Sequence, residues 1–296
     1  MSTDPVQRLK DYKPESEFFV GIDSDGCVFD SMEIKQKECF CPQFINHFGL
    51  QRISKYARET WEFVNLYSKT RGANRFTCLE RALQMLRERK ETQDRGLVIP
   101  EYATVMEWIH TETRLANPAL EAKFKETGDA DLKVVLDWTT DVNNTIAKIV
   151  RDVPPFPQVP ATLKKIGLKA DPFVVSQTPC EALNREWSEH GISHLVKIIC
   201  GQEMGTKTEH VAFAAKGKYD DDKILIMGDA PSDEIAAKAN GVLFYPINPG
   251  NEEFSWQRLH DEALDRFFNG TYAGEYEAQI IKEFHSYLPE KAPWEA

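Results

Sequence analysis

The chain has 296 residues, 42% of them hydrophobic and 28% charged, with 16 glycines and 16 prolines. That length accommodates one large core, or one core with a substantial insertion, and the composition excludes a wholly disordered or fibrous chain. Forty-seven acidic against 36 basic residues give a net charge of −11, which repels nucleic acid and anionic membrane over most of the surface.

The first residues, MSTDPVQRLKDYKPESEFF, lack the continuous apolar core of a secretion signal. No apolar run approaches the ~20 residues a bilayer span needs. These features predict a cytoplasmic protein with reduced thiols at Cys27, Cys39, Cys41, Cys78, Cys180 and Cys200. Cys39-Phe-Cys41 has no second pair or histidine spacing to complete a zinc site, so no metal is expected there.

The first strand-like run is Phe18-Phe19-Val20-Gly21-Ile22, closed by Asp23-Ser24-Asp25-Gly26. The stretch from about residue 34 to 153 follows helical rather than alternating spacing, over 36–48, 52–68, 75–91, 100–115 and 131–151. In the last of these, Leu132, Val135, Leu136, Val142, Ile146, Ile149 and Val150 share one face. The proline-rich run Val153-Pro154-Pro155-Phe156-Pro157 ends this helical insertion. Unalternating apolar runs then return at Phe173–Val175, Val196–Cys200, Ile224–Met227 and Val242–Tyr245, each closed by a polar, Gly or Pro signal. Such runs fit strands buried on both faces of a parallel sheet. Helices are predicted between them at 179–190, 206–216 and 232–240, the last capped by Ser232 and stopped at Gly241.

The expected fold is therefore α/β: a Rossmann-like, doubly wound parallel sheet with an inserted α-helical cap. Residues 1–33 and 154–296 form the core and 34–153 the cap, with a helical tail from about residue 252 packing back on the core.

Ligands of open parallel sheets bind beyond the carboxyl ends of the strands. Asp23 and Asp25 follow the first predicted strand, Ser176 the second, and Asp229 with Asp233 the fourth; Lys207 opens a helix between the third and fourth. Four carboxylates in one crevice repel strongly unless a cation sits among them. Oxygen ligands with water suit Mg²⁺, and a magnesium site invites a phosphate.

The ordered set Asp23-Ser-Asp25-Gly-Cys-Val-Phe-Asp30, Val174-Val175-Ser176, Lys207 and Gly228-Asp229-Ala-Pro-Ser-Asp233 resembles the four-motif signature of the haloacid dehalogenase superfamily. It is similar in particular to members with a helical cap between the first and second motifs. The likeness covers roughly residues 17–33 and 156–247. It implies an Mg²⁺-dependent phosphatase in which Asp23 is the nucleophile that forms an aspartyl-phosphate and Asp25 the acid and base. Ser176 with the Gln177 backbone N–H would hold a phosphoryl oxygen, and Lys207 would neutralise charge. Asp23, the Asp25 carbonyl, Asp229 and Asp233 would serve the metal. Cys27 departs from the threonine usual at its position, and is expected to be tolerated.

Between Ser68 and Gly96 eight basic side chains stand against four acidic ones, a local +4. From the loop-like Ser68–Arg75 run, Arg71 and Arg75 are expected to hold an anionic part of the substrate. Arg81 to Lys90 are expected to form a solvated face. The expected partner is a small phosphorylated metabolite, with neither nucleic acid nor membrane, the chain being a monomer or homodimer. A sugar-phosphate mutase of the phosphoglucomutase type, or a catalytically silent binding protein, stands as the alternative. A dehalogenase has no use for Asp25, a phosphonate-cleaving relative lacks it, and an ion pump needs membrane spans.

Overall fold

The computed structural model describes residues 4–295. Its sheet has five parallel strands, β1 (Phe18–Ile22), β2 (Ala170–Val175), β3 (Ile198–Cys200), β4 (Ile224–Gly228) and β5 (Leu243–Pro246), in the order β3-β2-β1-β4-β5. The order reverses at β1, so the loops after β1, β2 and β4 meet where two neighbouring connections diverge.

Because side chains alternate across a strand, each apolar run feeds two cores. Val20, Ile22, Val174, Leu225, Met227 and Tyr245 point to one face and pack with Val159, Leu163, Trp187 and Trp256. Phe19, Phe173, Val175, Ile224, Ile226 and Phe244 point to the other and pack with Leu9, Val211, Phe284 and Leu288. Gly21 admits no side chain: a Cβ there would meet Ile226 Cδ1 at 2.8 Å. Leu9 belongs to a short helix, Pro5–Asp11, absent from the sequence expectations.

The chain divides into two compact units. The first comprises the segment up to Met32 with Asp152–Pro289, and the second Glu33–Arg151 with the segment from Glu290. The second unit is all-helical, around Trp61, Trp138, Phe40, Phe44 and Phe76. One of its helical expectations is corrected in detail, and one helix was not expected. Arg89 has extended backbone, which splits 75–91 into Arg75–Glu88 and Lys90–Asp94. A further helix, Asn117–Thr127, buries only Leu120 and so carries little periodic signal. Asp152, where the chain re-enters the first unit, has a φ of 57°, a conformation Asp tolerates better than most residues.

The tail also differs from expectation. Glu252–Arg258, Leu264–Phe268 and Glu275–Tyr287 do pack on the first unit's cores through Trp256, Phe267 and Phe284. The last segment instead groups with the second unit. There Ala292 is buried, and Trp294 lies edge-on to Phe63 and 4.1 Å over the Arg89 guanidinium.

Candidate active site

β1 delivers Asp23 at its carboxyl end, where the Asp23 N–H donates to the Met227 carbonyl at 3.0 Å and prolongs the pairing with β4. The chain then turns sharply: the Val28 N–H returns to Ser24 O and the Gly26 N–H to Phe29 O, both at 2.8 Å. Gly26 has a φ of 76°, which favours glycine. Two buried tryptophans brace this turn. Trp187 Nε1 donates to Ser24 Oγ at 3.0 Å and Trp256 Nε1 to the Cys27 carbonyl at 2.7 Å.

The loop after β2 begins with the Ser176 N–H bonded to Cys200 O at 3.0 Å. Ser176 Oγ accepts the Thr178 N–H at 3.3 Å, and Gln177 Nε2 donates to the Gly205 carbonyl at 2.9 Å. Gly201, at the end of β3, makes room for this loop, since a Cβ there would fall 2.6 Å from the Thr178 carbonyl oxygen. Lys207 is the first residue of the helix Lys207–Ala214, whose start is set by a capping box between Thr206 and Glu209. After β4, Asp233 lies in the first turn of the helix Pro231–Asn240, and its Oδ2 accepts the Ala230 N–H at 3.2 Å.

These loops bring Asp23, Asp229 and Asp233 together. All three are buried, and one carboxylate oxygen from each lies within 4.8 Å of the others. Lys207 Nζ donates to Asp23 Oδ2 at 2.8 Å and to Asp233 Oδ1 at 2.6 Å. Burial works against the Lys207 charge, but Asp23 and Asp233 outweigh it and hold the ammonium well above its ordinary pKa. Burial, reinforced by Asp23 and Asp229, pushes the Asp233 carboxyl up against the opposing pull of Lys207. Three carboxylates against one ammonium leave an excess of buried negative charge. An all-oxygen set of this size fits a hard divalent cation.

Asp25 stands beside this cluster, half-buried, with both carboxylate oxygens engaged. Ser31 Oγ donates to Oδ1, and Thr178 Oγ1 donates to Oδ2 at 2.7 Å. Neither Ser31 nor Thr178 was singled out in the sequence. Cys27 is fully buried, and burial together with Asp229, Asp23 and Asp233 pushes its thiol well above the ordinary range. It is a neutral packing group, and no reactive thiolate stands there.

Arg71 and Arg75 lie in the second unit. Arg71 is buried and donates to the Leu66 carbonyl at 3.0 Å. Arg75 donates to Thr139 Oγ1 at 2.9 Å and Asn143 Oδ1 at 2.8 Å, its guanidinium 5.0 Å from the Phe40 ring. These contacts tie both side chains to their own unit and do not bear on their expected role toward a substrate. The expected solvated face from Arg81 to Lys90 is corrected at Arg89, which is only 5% exposed. It pairs with Glu59 and Glu91 and stacks between the Tyr56 and Trp294 rings.

No family model matches this chain, and no curated protein matches it. Among solved structures, the chain is similar to a haloacid dehalogenase-like family hydrolase from Streptococcus pneumoniae. Identity is 12%, over 83% of this chain and 91% of that one, with a TM-score of 0.45. A predicted phosphoglycolate phosphatase from Haemophilus somnus is 14% identical over 80% of this chain and 88% of its own, with a TM-score of 0.46. A HAD-superfamily hydrolase, subfamily IA, from Geobacter sulfurreducens is 14% identical over 78% and 88%, with a TM-score of 0.40. Among the described residues no helix is long and apolar enough to cross a membrane.

Proposed function

We propose that this chain is an Mg²⁺-dependent phosphatase that hydrolyses a small phosphorylated metabolite through an aspartyl-phosphate on Asp23. The observation that carries this reading is the convergence of Asp23, Asp229, Asp233 and Lys207 at the carboxyl ends of β1 and β4, with Asp25 two residues beyond Asp23. These are the residues whose order along the chain resembles the haloacid dehalogenase signature.

The buried carboxylates of Asp23, Asp229 and Asp233, with the Asp25 carbonyl, are the groups that would hold the ion. When bound, Mg²⁺ supplies charge neutralisation and polarises phosphoryl oxygens. The other contributions come from the chain itself. Lys207 holds one Asp23 oxygen and offers a positive charge to the incoming phosphoryl group. Ser176 and the Gln177 N–H supply hydrogen bonds to a phosphoryl oxygen. Asp23 attacks phosphorus as the ester P–O bond breaks, and Asp25 gives its proton to the leaving oxygen. Water then attacks phosphorus, the Asp23–phosphorus bond breaks, and the water's proton passes to Asp25.

Release of phosphate from p-nitrophenyl phosphate with Mg²⁺, lost on chelation and lost in Asp23→Asn, is the expected result. No release from p-nitrophenyl phosphate or from a panel of phosphorylated metabolites would overturn the reading. Interconversion of hexose phosphate isomers without free phosphate would replace it by the mutase.

A further inference from the structure

Thr178 has no part in the chemistry just described, yet it is bonded to the residue that must move the proton. Its Oγ1 donates to Asp25 Oδ2 at 2.7 Å across 153 residues of sequence, while Ser31, six residues beyond Asp25, donates to Oδ1. A carboxylate oxygen has two lone pairs, so a hydroxyl bond to it does not by itself prevent it from carrying a proton. The rotation of the carboxylate plane, by contrast, is no longer free.

Asp25 needs such a restraint. It lies in the turn after β1, beyond the strand that fixes Asp23, and it is only half-buried. Thr178 is well placed to supply the restraint because it is itself held. Its N–H donates to Ser176 Oγ at 3.3 Å, its carbonyl accepts the Gln202 N–H at 3.2 Å, and Gly201 packs against it with no room for a Cβ. Its β-branch also narrows the choice of χ1. The same three-residue loop therefore carries the hydroxyl for the phosphoryl group, on Ser176, and the hydroxyl that orients the proton donor, on Thr178.

We propose that Thr178 is the positioning residue that aims the Asp25 carboxyl at the leaving-group oxygen, with Ser31 as the second support. The proposal rests on the phosphatase reading above. In the step concerned, the bond from Asp23 to phosphorus forms, the bond from phosphorus to the ester oxygen breaks, and that oxygen takes the proton from Asp25. A well-aimed proton donor matters most when the leaving oxygen is strongly basic. The value of kcat/KM reports only events up to formation of the aspartyl-phosphate, so it isolates this step from the later attack by water.

The test compares phenyl phosphate, with its poorer leaving group, and p-nitrophenyl phosphate, both with Mg²⁺. General acid catalysis is worth roughly 10²–10⁴-fold, and losing one hydroxyl support should forfeit about tenfold of it. Thr178→Val is expected to lower kcat/KM for phenyl phosphate by about tenfold more than for p-nitrophenyl phosphate, whereas Thr178→Ser, which keeps the hydroxyl, stays near the wild-type ratio. An unchanged ratio in Thr178→Val, equal loss on both esters, or a serine variant that behaves like the valine one would overturn the positioning role while leaving the phosphatase reading intact. A wild-type protein inactive on both esters and on the metabolite panel would remove both. Should circular dichroism show Thr178→Val to be unfolded, Thr178→Ala and Ser31→Ala carry the same comparison.

Discussion

Position 228 and the carboxylate of Asp233 compete for one space: a Cβ on Gly228 would stand 2.1 Å from Asp233 Cγ and 2.2 Å from its Oδ2. Any side chain at 228 therefore dislodges the carboxylate that binds Lys207 and the Ala230 N–H. Gly228→Ala is expected to lower kcat for p-nitrophenyl phosphate by about 10²-fold, the usual scale for an ångström of misplacement in a site. It should also cost roughly 1–3 kcal/mol of stability through overpacking. Steady-state kinetics and thermal melts check both, and a variant with wild-type kcat would show that Asp233 has no fixed place in the chemistry.

The excess negative charge among Asp23, Asp229 and Asp233 predicts that a divalent cation stabilises the folded chain. Binding to the native state alone contributes RT ln(1 + [L]/Kd), about 2.7 kcal/mol at a hundredfold excess over Kd. Mg²⁺ should raise the Tm of the wild type, chelation should reverse the rise, and Asp229→Asn should abolish it. A melting curve indifferent to Mg²⁺ would remove the metal from the account.

His210 is fully buried one turn beyond Lys207, and burial, helped by the Lys207 charge, pushes its imidazole down to about 4 against the opposing pull of the Gly201 backbone and Glu209. The folded chain thus keeps His210 neutral, whereas the unfolded chain protonates it near its ordinary value of ~6.5. The unfolded state binds the extra proton, so this contribution is complete above about pH 6.5 and is lost as the pH falls towards 4. The loss should amount to about 3 kcal/mol. Subtracting the urea-unfolding free energies of His210→Leu from those of wild type, from pH 7.5 to 4.5, isolates it. A flat difference curve would contradict the assignment.

Arg89 buries its charge between Tyr56 and Trp294, at 4.7 and 4.1 Å from the ring centres. Removing Trp294 uncovers one face of the guanidinium and forfeits a desolvated cation–π contact, worth roughly 1–2 kcal/mol. Trp294→Ala should destabilise the second unit by about that amount, visible as a lower Tm or as faster amide exchange over Ser54–Leu66. Trp294→Phe should recover about half of the loss. An alanine variant with wild-type stability would show that the C-terminal segment does not support this unit.

The strands were readable because a strand buried on both faces is mostly apolar. Four of the five runs were unbroken apolar stretches, the fifth was interrupted only by Lys197, and β2 reaches back over Asp171 and Pro172. The candidate aspartates were readable for a related reason: Asp23 and Asp229 follow directly from strand ends, with Asp25 and Asp233 two and four residues further on, so local order along the chain reports spatial position. Local charge density alone does not tell an arginine that meets a ligand from one that also bonds its own unit, as Arg71 does at the Leu66 carbonyl and Arg75 at Thr139 and Asn143. Arg89 looked like a surface residue among its charged neighbours until Trp294, over 200 positions later, covered it.

The sequence by itself determined the α/β class, the helical insertion, and the identity and order of Asp23, Asp25, Ser176, Lys207, Asp229 and Asp233. Those features depend on hydrophobic periodicity and on residues a few positions apart. Only the tertiary structure decided that Thr178 and Ser31 hold the two oxygens of Asp25, that Trp187 and Trp256 brace the turn behind it, and that Trp294 covers Arg89. Apart from the Ser31–Asp25 bond, these are single contacts closed over long stretches of chain. Such contacts depend on how packed elements meet, which leaves no periodic trace in the residues that make them.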